Sequence, residues 1–492
     1  MIKDKILKFA NFLKGVIASF FDIFFDQNQK ETAKFLVWFY IFLLYVLGVF
    51  FWGGFFNWGN IDLNFHDWAT INVPRIEVVH DALSLRLLPL HAECETCLHG
   101  VTDRFFVLPD VITSPQMILL LFVSPPMFVF LDVLLHYSIA TIGLLLLRKR
   151  FHISLISYTF LFLTFQFNGY IQSHYAVGHA TWAGYFLFPL FFELIFELLY
   201  DKPGWAWVAK FAFLAFYSTL VGSQHHFTWM MLFMATLALS FRSAFKWIVA
   251  AILFSGFLSA IRLLPPALGI NGFSHFFFGV PGYLTIYDFL TSLFSLRGPT
   301  YTFIAWPYEI GYWEFDYYIG LVGTIVLIYF GVIRWFKDWS NGKIHSALIF
   351  PTLVLFSFSQ SYIYQETMYR IPFLASERIA SRMVSLPFTL VLIVSAIYLS
   401  EGLRMQKMSH QLLALISVVF VMNDVFIHRS LWKIQSVSTN FPVVELDFSG
   451  NSIVNHADPR YFLVLCLGLG LSLFSAFVLG LLVAKEKKFT RK

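Results

Sequence analysis

Two consecutive stretches decide how this chain must be read. Residues 34–56 run KFLVWFYIFLLYVLGVFFWGGFF, and residues 60–110 follow as NIDLNFHDWATINVPRIEVVHDALSLRLLPLHAECETCLHGVTDRFFVLPD. The first is apolar for long enough to cross about 30 Å of hydrocarbon as a helix. The second carries too many Asp, His and Arg residues to enter lipid, because each unpaired polar group there costs several kcal/mol. A membrane anchor alone has no use for such a loop.

The rest of the 492 residues extends this pattern: 58% are hydrophobic and only 13% are charged, against about 25% charged in soluble proteins. Apolar runs occur at 34–56, 116–147, 153–168, 181–200, 205–222, 227–241, 246–266, 317–336, 344–358, 383–402, 411–427 and 461–484. The expected fold class is therefore an all-α polytopic membrane protein with about twelve transmembrane helices and a large first outer loop. Runs 153–168, 227–241 and 344–358 are short for a full crossing and must tilt or face a protein cavity. The run 116–147 contains Pro125 and Pro126, which suggests a short interfacial helix followed by a span.

Basic residues orient the chain. Lys3, Lys5, Lys8, Lys14, Arg148, Lys149, Arg150, Arg242, Lys246, Arg334, Lys337, Lys343, Arg404, Lys407 and the tail KEKKFTRK fall on one side when twelve spans alternate. By the positive-inside rule that side is cytoplasmic, so both termini are expected inside a plasma (inner) membrane. Residues 1–33 read as an amphipathic cytoplasmic segment, 34–484 as one transmembrane domain and 485–492 as a basic tail. No cleavable signal peptide is expected, since the first apolar run lacks a small-residue cleavage site. The outer side then receives the loops 57–115, 267–316, 359–382 and 428–460, joined by the turns at 169–180 and 222–226.

Residues able to do chemistry collect on that outer side. Asp67, in FHDW, and Asp81, in VVHDALS, are the rival candidates for a general base that takes a proton from an acceptor hydroxyl. Arg378 and Arg382 stand four apart in SERIASRM, so a helix would put both on one face, where paired guanidinium groups suit a phosphate. Arg262, in SAIRLLPP, and Arg75 could complete an anionic-lipid site. His174 and His179 in HYAVGH, with Gln224, His225 and His226 in SQHH, suit a sugar or a phosphate, as do Glu309 and Glu314 in the aromatic loop 301–318. No residue set matches a strong metal motif, although a divalent cation is compatible with the histidines. His91, Cys94, Cys97 and His99 in HAECETCLH are too crowded for standard zinc spacing, and on an oxidising exterior a Cys94–Cys97 disulfide is the simpler expectation. Cys466 reads as core of the last span.

An acidic first outer loop, the segment FNGYIQSHYAVGHATWAGYFLFPLFF (167–192), the RLLP at 262–265 and the arginine pair before a late span together resemble the GT-C superfamily of membrane glycosyltransferases. The resemblance runs over most of residues 34–402. It implies transfer of a sugar from a polyprenyl-phosphate carrier to a lipid, glycan or protein acceptor on the non-cytoplasmic face, with no cofactor required and no nucleic acid involved. It implies a first-loop acid as base, carried here by Asp67, and basic residues on the carrier phosphate, carried by Arg378 and Arg382. The first loop lacks an adjacent acid pair, which leaves Asp67 and Asp81 both open. The competing expectation is a multi-pass transporter or flippase for an anionic or lipid-linked substrate, and a third is a structural subunit of a membrane complex. Against a transporter, no repeated halves are visible, and acids such as Asp132, Glu193, Glu197 and Asp424 are few within the runs.

Overall fold

The computed structural model describes residues 23–25, 31–93, 102–108, 110, 113–268, 281–305, 308–339, 344–367, 370, 377, 379–403, 408–448 and 450–490. Arg378, Cys94, Cys97 and His99 lie outside the described residues. Each of the twelve apolar runs coincides with helix. In chain order the main helices are α1 (Glu31–Phe55), α2 (Val73–Leu85), α3 (Pro125–Phe151), α4 (Leu155–Gln166), α5 (Gly169–Val177), α6 (Phe188–Tyr200), α7 (Trp205–Leu220), α8 (Gln224–Ser240), α9 (Phe245–Leu258), α10 (Gly320–Val326), α11 (Ile349–Phe358), α12 (Ser385–Leu403), α13 (Met408–Trp432) and α14 (Pro459–Thr490). Helix α10 continues through a π-helical stretch, Leu327–Ile333, into Arg334–Trp339.

Among the described residues seven helices are long and apolar enough to cross a membrane: Lys34–Phe55, Pro125–Phe151, Ala180–Tyr200, Gly320–Asp338, Ala380–Leu403, Met408–Ser438 and Pro459–Lys488. The pair Gln224–Ser240 and Arg242–Leu258 is bent by 112° and could add an eighth. Helices α4, α8 and α11, which occupy the three runs read as short, are 12, 17 and 10 residues long. The long run 116–147 divides as its prolines require: a 3-10 turn at Pro115–Leu121, then α3 with proline in its first turn.

Burial separates inner from peripheral helices. Nearly every side chain of α4 and α12 is buried. In contrast, α1 and α14 expose large apolar side chains such as Phe35, Trp38, Phe42, Phe462, Phe474 and Phe477, the surface that lipid would cover. Cys466 is on this exposed face and not in a core. Hydrogen bonds tie the helices where apolar packing has no directional preference: Tyr40 to Thr159 at 2.9 Å and Tyr45 to Ser138 at 2.9 Å. Gly331 brings the π-helical stretch against α12, where a Cβ would lie 2.7 Å from the Val391 carbonyl oxygen.

Three of the acids within the runs are paired. Glu193 accepts from Arg150 at 2.8 Å, Asp132 accepts from Gln116 at 2.6 Å, and Glu197 is bonded by Lys210. Among the described residues four short strands complete the fold: β1 (Ala92–Glu93) pairs antiparallel with β4 (Ser452–Ile453), and β2 (Thr302–Ala305) with β3 (Tyr308–Gly311). These strands lie in the segments read from sequence as outer loops.

Candidate active site

The central cluster is built at the end of α5. Asn168 caps that helix, its side chain accepting from the Ile171 amide at 3.3 Å, while its own amide donates to Tyr185 at 2.7 Å. Gly178 ends the helix in the left-handed region, φ +102°, which glycine adopts without steric cost. The His179 amide then donates back to the His174 carbonyl at 2.9 Å. This reversal folds two histidines five positions apart onto each other, with their Nδ1 atoms 2.6 Å apart.

The polar loop after α1 docks on this turn. His66 Nδ1 lies 2.9 Å from the Val177 carbonyl, Trp68 Nε1 donates to the Tyr175 carbonyl at 3.1 Å, and Asn72 donates to the carbonyls of Asp67, at 3.0 Å, and Gly178. A Cβ on Gly178 would meet the Trp68 nitrogen at 2.4 Å, so glycine is needed for this close approach as well as for the turn. His66 itself has φ +45°, a conformation costing about 1–3 kcal/mol in a non-glycine residue. The docking delivers Asp67 Oδ2 to 3.1 Å from His179 Nε2.

A row of polar groups results, hydrogen-bonded from Asp67 through His179 to His174 but not from His174 onward. It runs from Asp67 through His179 and His174 to Glu314, whose Oε2 is 3.9 Å from His174 Nε2. Glu314 in turn accepts from Arg382 through Nε at 2.6 Å and Nη2 at 2.5 Å, and Ser381 donates to its carbonyl at 2.7 Å. The Arg382 guanidinium lies 4.5 Å above the Trp182 ring, a cation–π contact.

Hydrogen-bond complementarity assigns the tautomers. An ionised Asp67 accepts from Nε2–H of His179; the Nδ1 lone pair of His179 accepts from Nδ1–H of His174. Burial pushes the His174 pKa well below its ordinary value, and neighbouring His179 and Arg382 add to the effect, so His174 is neutral. Burial would raise the Asp67 carboxyl, but the hydrogen bond from His179, with the imidazole of His66 and the guanidinium of Arg382 nearby, outweighs it and holds the pKa below its usual range. Glu314 behaves likewise: Arg382 overcomes burial and keeps its carboxyl low. The acids therefore remain ionised at neutral pH.

Accessibility divides the cluster. The side chains of His174 and Glu314 are 0% and 4% exposed, whereas Asp67 is 29% exposed. His225, bonded to the buried Glu377 at 2.8 Å, lies beside Trp182. His226 is buried against Trp182 and Trp229. Gln224 heads the same helix. Donor atoms of His174, His179 and Glu314 lie within 4.8 Å of one another. A divalent cation would fit there only if the His174–His179 contact opened, because two nitrogens 2.6 Å apart are closer than two ligands of one ion at about 2.0–2.1 Å each.

Other sequence candidates are placed elsewhere. Asp81 is half-exposed on α2, beside His80 and near Glu77. Arg75 is buried and paired with the Asp110 carboxylate. Arg262 is buried and donates to the carbonyls of Phe106, Leu108 and Asp110 at 3.3, 2.8 and 3.2 Å. These two arginines thus fasten the polar loop after α1 to itself and to the segment after α9. Glu309 is exposed on β3. The buried Asp316, two positions beyond Glu314, is engaged by His428 at 2.8 Å. A cleft lined by Asp62, Glu77, Pro125, Pro126 and Glu445 includes no residue of the cluster.

Sequence reading missed His66, Trp182 and Glu377 as members, while Trp313 falls within the aromatic loop 301–318 that it did single out. His66 precedes Asp67 in FHDW, and its ring lies 5.1 Å from that of Trp313; Trp182 follows His179 within HATW. Their nearness to chosen residues was the available signal. No family model, curated protein or solved structure matches this chain.

Proposed function

We propose that this chain is an integral membrane glycosyltransferase of the GT-C kind, moving a sugar from a polyprenyl-phosphate donor to a lipid, glycan or protein acceptor. In this reading twelve crossings place both termini in the cytoplasm and the cluster on the non-cytoplasmic face of the plasma (inner) membrane. The observation that carries it is the gathering, from three distant parts of the chain, of a partly exposed carboxylate, a hydrogen-bonded histidine pair and an arginine: Asp67, His174, His179 and Arg382.

The proposed reaction uses these groups as follows. An acceptor hydroxyl oxygen attacks the anomeric carbon, and the bond from that carbon to the phosphate oxygen breaks. The departing electron pair stays on the polyprenyl phosphate. Arg382 spends Nε and Nη2 on Glu314, which leaves Nη1 to meet the phosphate; Arg378 is retained as a second phosphate ligand in this proposal. Asp67 takes the hydroxyl proton. Its low pKa makes it a weak base, but the hydroxyl becomes strongly acidic as its oxygen bonds to carbon, so a weak base suffices late in the step. Trp313, beside His66, offers a face for a sugar ring. The histidine pair holds the Asp67 carboxylate ionised and oriented.

The test is release of polyprenyl phosphate from a panel of labelled polyprenyl-phosphate sugars by purified protein in detergent. Asp67→Asn keeps the side-chain size but removes the base, so turnover should fall by about 10²–10⁴ with donor binding kept. Full activity in Asp67→Asn with loss in Asp81→Asn would move the base to Asp81. Donor binding without turnover across the panel would favour the transporter reading.

A further inference from the structure

A second group of ligating side chains assembles away from the cluster, where the first outer loop meets the segment ahead of α14. The β1–β4 pairing starts the junction. Asn455 strengthens it: its carbonyl oxygen accepts from the amides of Leu90 and His91, both at 2.9 Å, and its amide donates to Leu88 at 2.7 Å. His91 and His456 consequently stack, with ring centroids 3.9 Å apart. Asp103 is held alongside by the Ala92 amide, which donates to its carbonyl at 2.9 Å, and its carboxylate lies 2.5 Å from His456 Nε2.

One atom in this group has no use in the fold. His91 is 1% exposed. Its Nε2 faces the Asp458 carboxylate at 3.3 Å, and Arg104 neutralises that carboxylate through Nε at 2.7 Å. Asp458 thus selects the Nε2–H tautomer, leaving a lone pair on Nδ1. That Nδ1 is buried and has no hydrogen-bond partner among the described residues, an omission that ordinarily costs about 1–3 kcal/mol. A carboxylate behind the distal nitrogen of an imidazole is the usual support of a metal-bound histidine.

We propose that His91, Asp103 and His456 bind a zinc ion that fastens the first outer loop to the segment preceding the last helix. One donor atom from each lies within 4.8 Å of the other two. Two imidazoles and one carboxylate suit zinc better than the hard cations calcium or magnesium, which take oxygen ligands. The ion enters between Asp103 and His456, replacing their direct contact, and a water completes four-coordination. Asp103 and His456 are 353 positions apart, so the ion acts as a cross-link between distant segments. The same two segments meet again at Phe65 and Val443, and the Val444 amide donates to the Asn64 carbonyl at 2.7 Å. The zinc would therefore stiffen the loop that carries Asp67.

The test uses the full chain in detergent, stripped with a chelator, dialysed, and titrated with zinc chloride. Bound metal is measured by mass spectrometry and thermal stability by melting. Wild type should retain about one equivalent of zinc more than His456→Ala or Asp103→Asn, and its melting temperature should rise with zinc while those of the variants should not. Both substitutions are at exposed positions, so failure of one to fold leaves the other to decide. His179→Ala should keep this equivalent, which separates the site from the central histidines. Equal zinc in wild type and both exposed-site variants would overturn the proposal. So would loss of zinc from a Cys94→Ser, Cys97→Ser double variant with full retention by His456→Ala.

Discussion

His179 Nε2 and Asp67 Oδ2 are 3.1 Å apart, and this bond joins the polar loop after α1 to the turn that ends α5. It also sets the charge of the carboxylate. Without it, burial would move Asp67 toward its neutral form.

The first prediction follows from that balance. In His179→Ala the strongest groups opposing burial are lost, so the Asp67 pKa rises. Any activity that needs ionised Asp67 should then fail at a higher pH than in wild type. Matched pH–rate profiles check this; coincident acid limbs would mean that His179 does not govern the charge of Asp67.

Glu314 and Arg382 form a bidentate ion pair, and both side chains are largely buried. Removing one partner strands a buried charge, so Glu314→Gln should destabilise the protein by about 3–5 kcal/mol. An apolar replacement of both, Glu314→Leu with Arg382→Met, should recover most of that stability. The double variant should still bind a polyprenyl-phosphate donor poorly. Comparing melting temperature with donor affinity separates the structural from the binding role, and tight donor binding by the double variant would remove Arg382 from the phosphate site.

Gly178→Ala should be disproportionately damaging for a single methyl group. It forces a left-handed backbone on alanine and drives a Cβ to 2.4 Å from the Trp68 nitrogen. We expect a loss of about 1–3 kcal/mol together with displacement of Asp67, seen as reduced turnover at temperatures where the fold persists. Wild-type turnover in this variant would show that the docking is not needed.

Acid should weaken the fold through His174. Its folded pKa is depressed by burial, whereas in the unfolded chain it titrates near about 6.5. As pH falls through that value the unfolded state gains a proton that the folded state resists, so stability drops until the lower, folded pKa is reached. His174→Gln should flatten this part of the stability–pH curve. An unchanged slope between neutral pH and about pH 5 would assign the acid sensitivity to other groups.

Several features were legible in the sequence because they depend on local pattern. Apolar run length placed the helices, and Pro125 and Pro126 marked the break before α3. The spacing HYAVGH, with glycine before the second histidine, contained the turn that brings His174 onto His179. The choice of Asp67 over Asp81 was open in sequence, since both are acids in one polar loop, and only the tertiary structure puts one beside the histidines and the other on an exposed helix face.

What the sequence determined by itself is the class of solvent this protein requires and the segments left outside it, because transfer of each run into hydrocarbon depends on the residues of that run alone. Partners were decided only by the tertiary structure. Arg75 and Arg262 read as candidates for an external anion, yet the fold turns them on Asp110 and on loop carbonyls. Glu314 meets Arg382, and His91 meets His456, across long stretches of chain. Such pairings depend on the helix packing and loop crossings that close those distances, which no single stretch of sequence encodes.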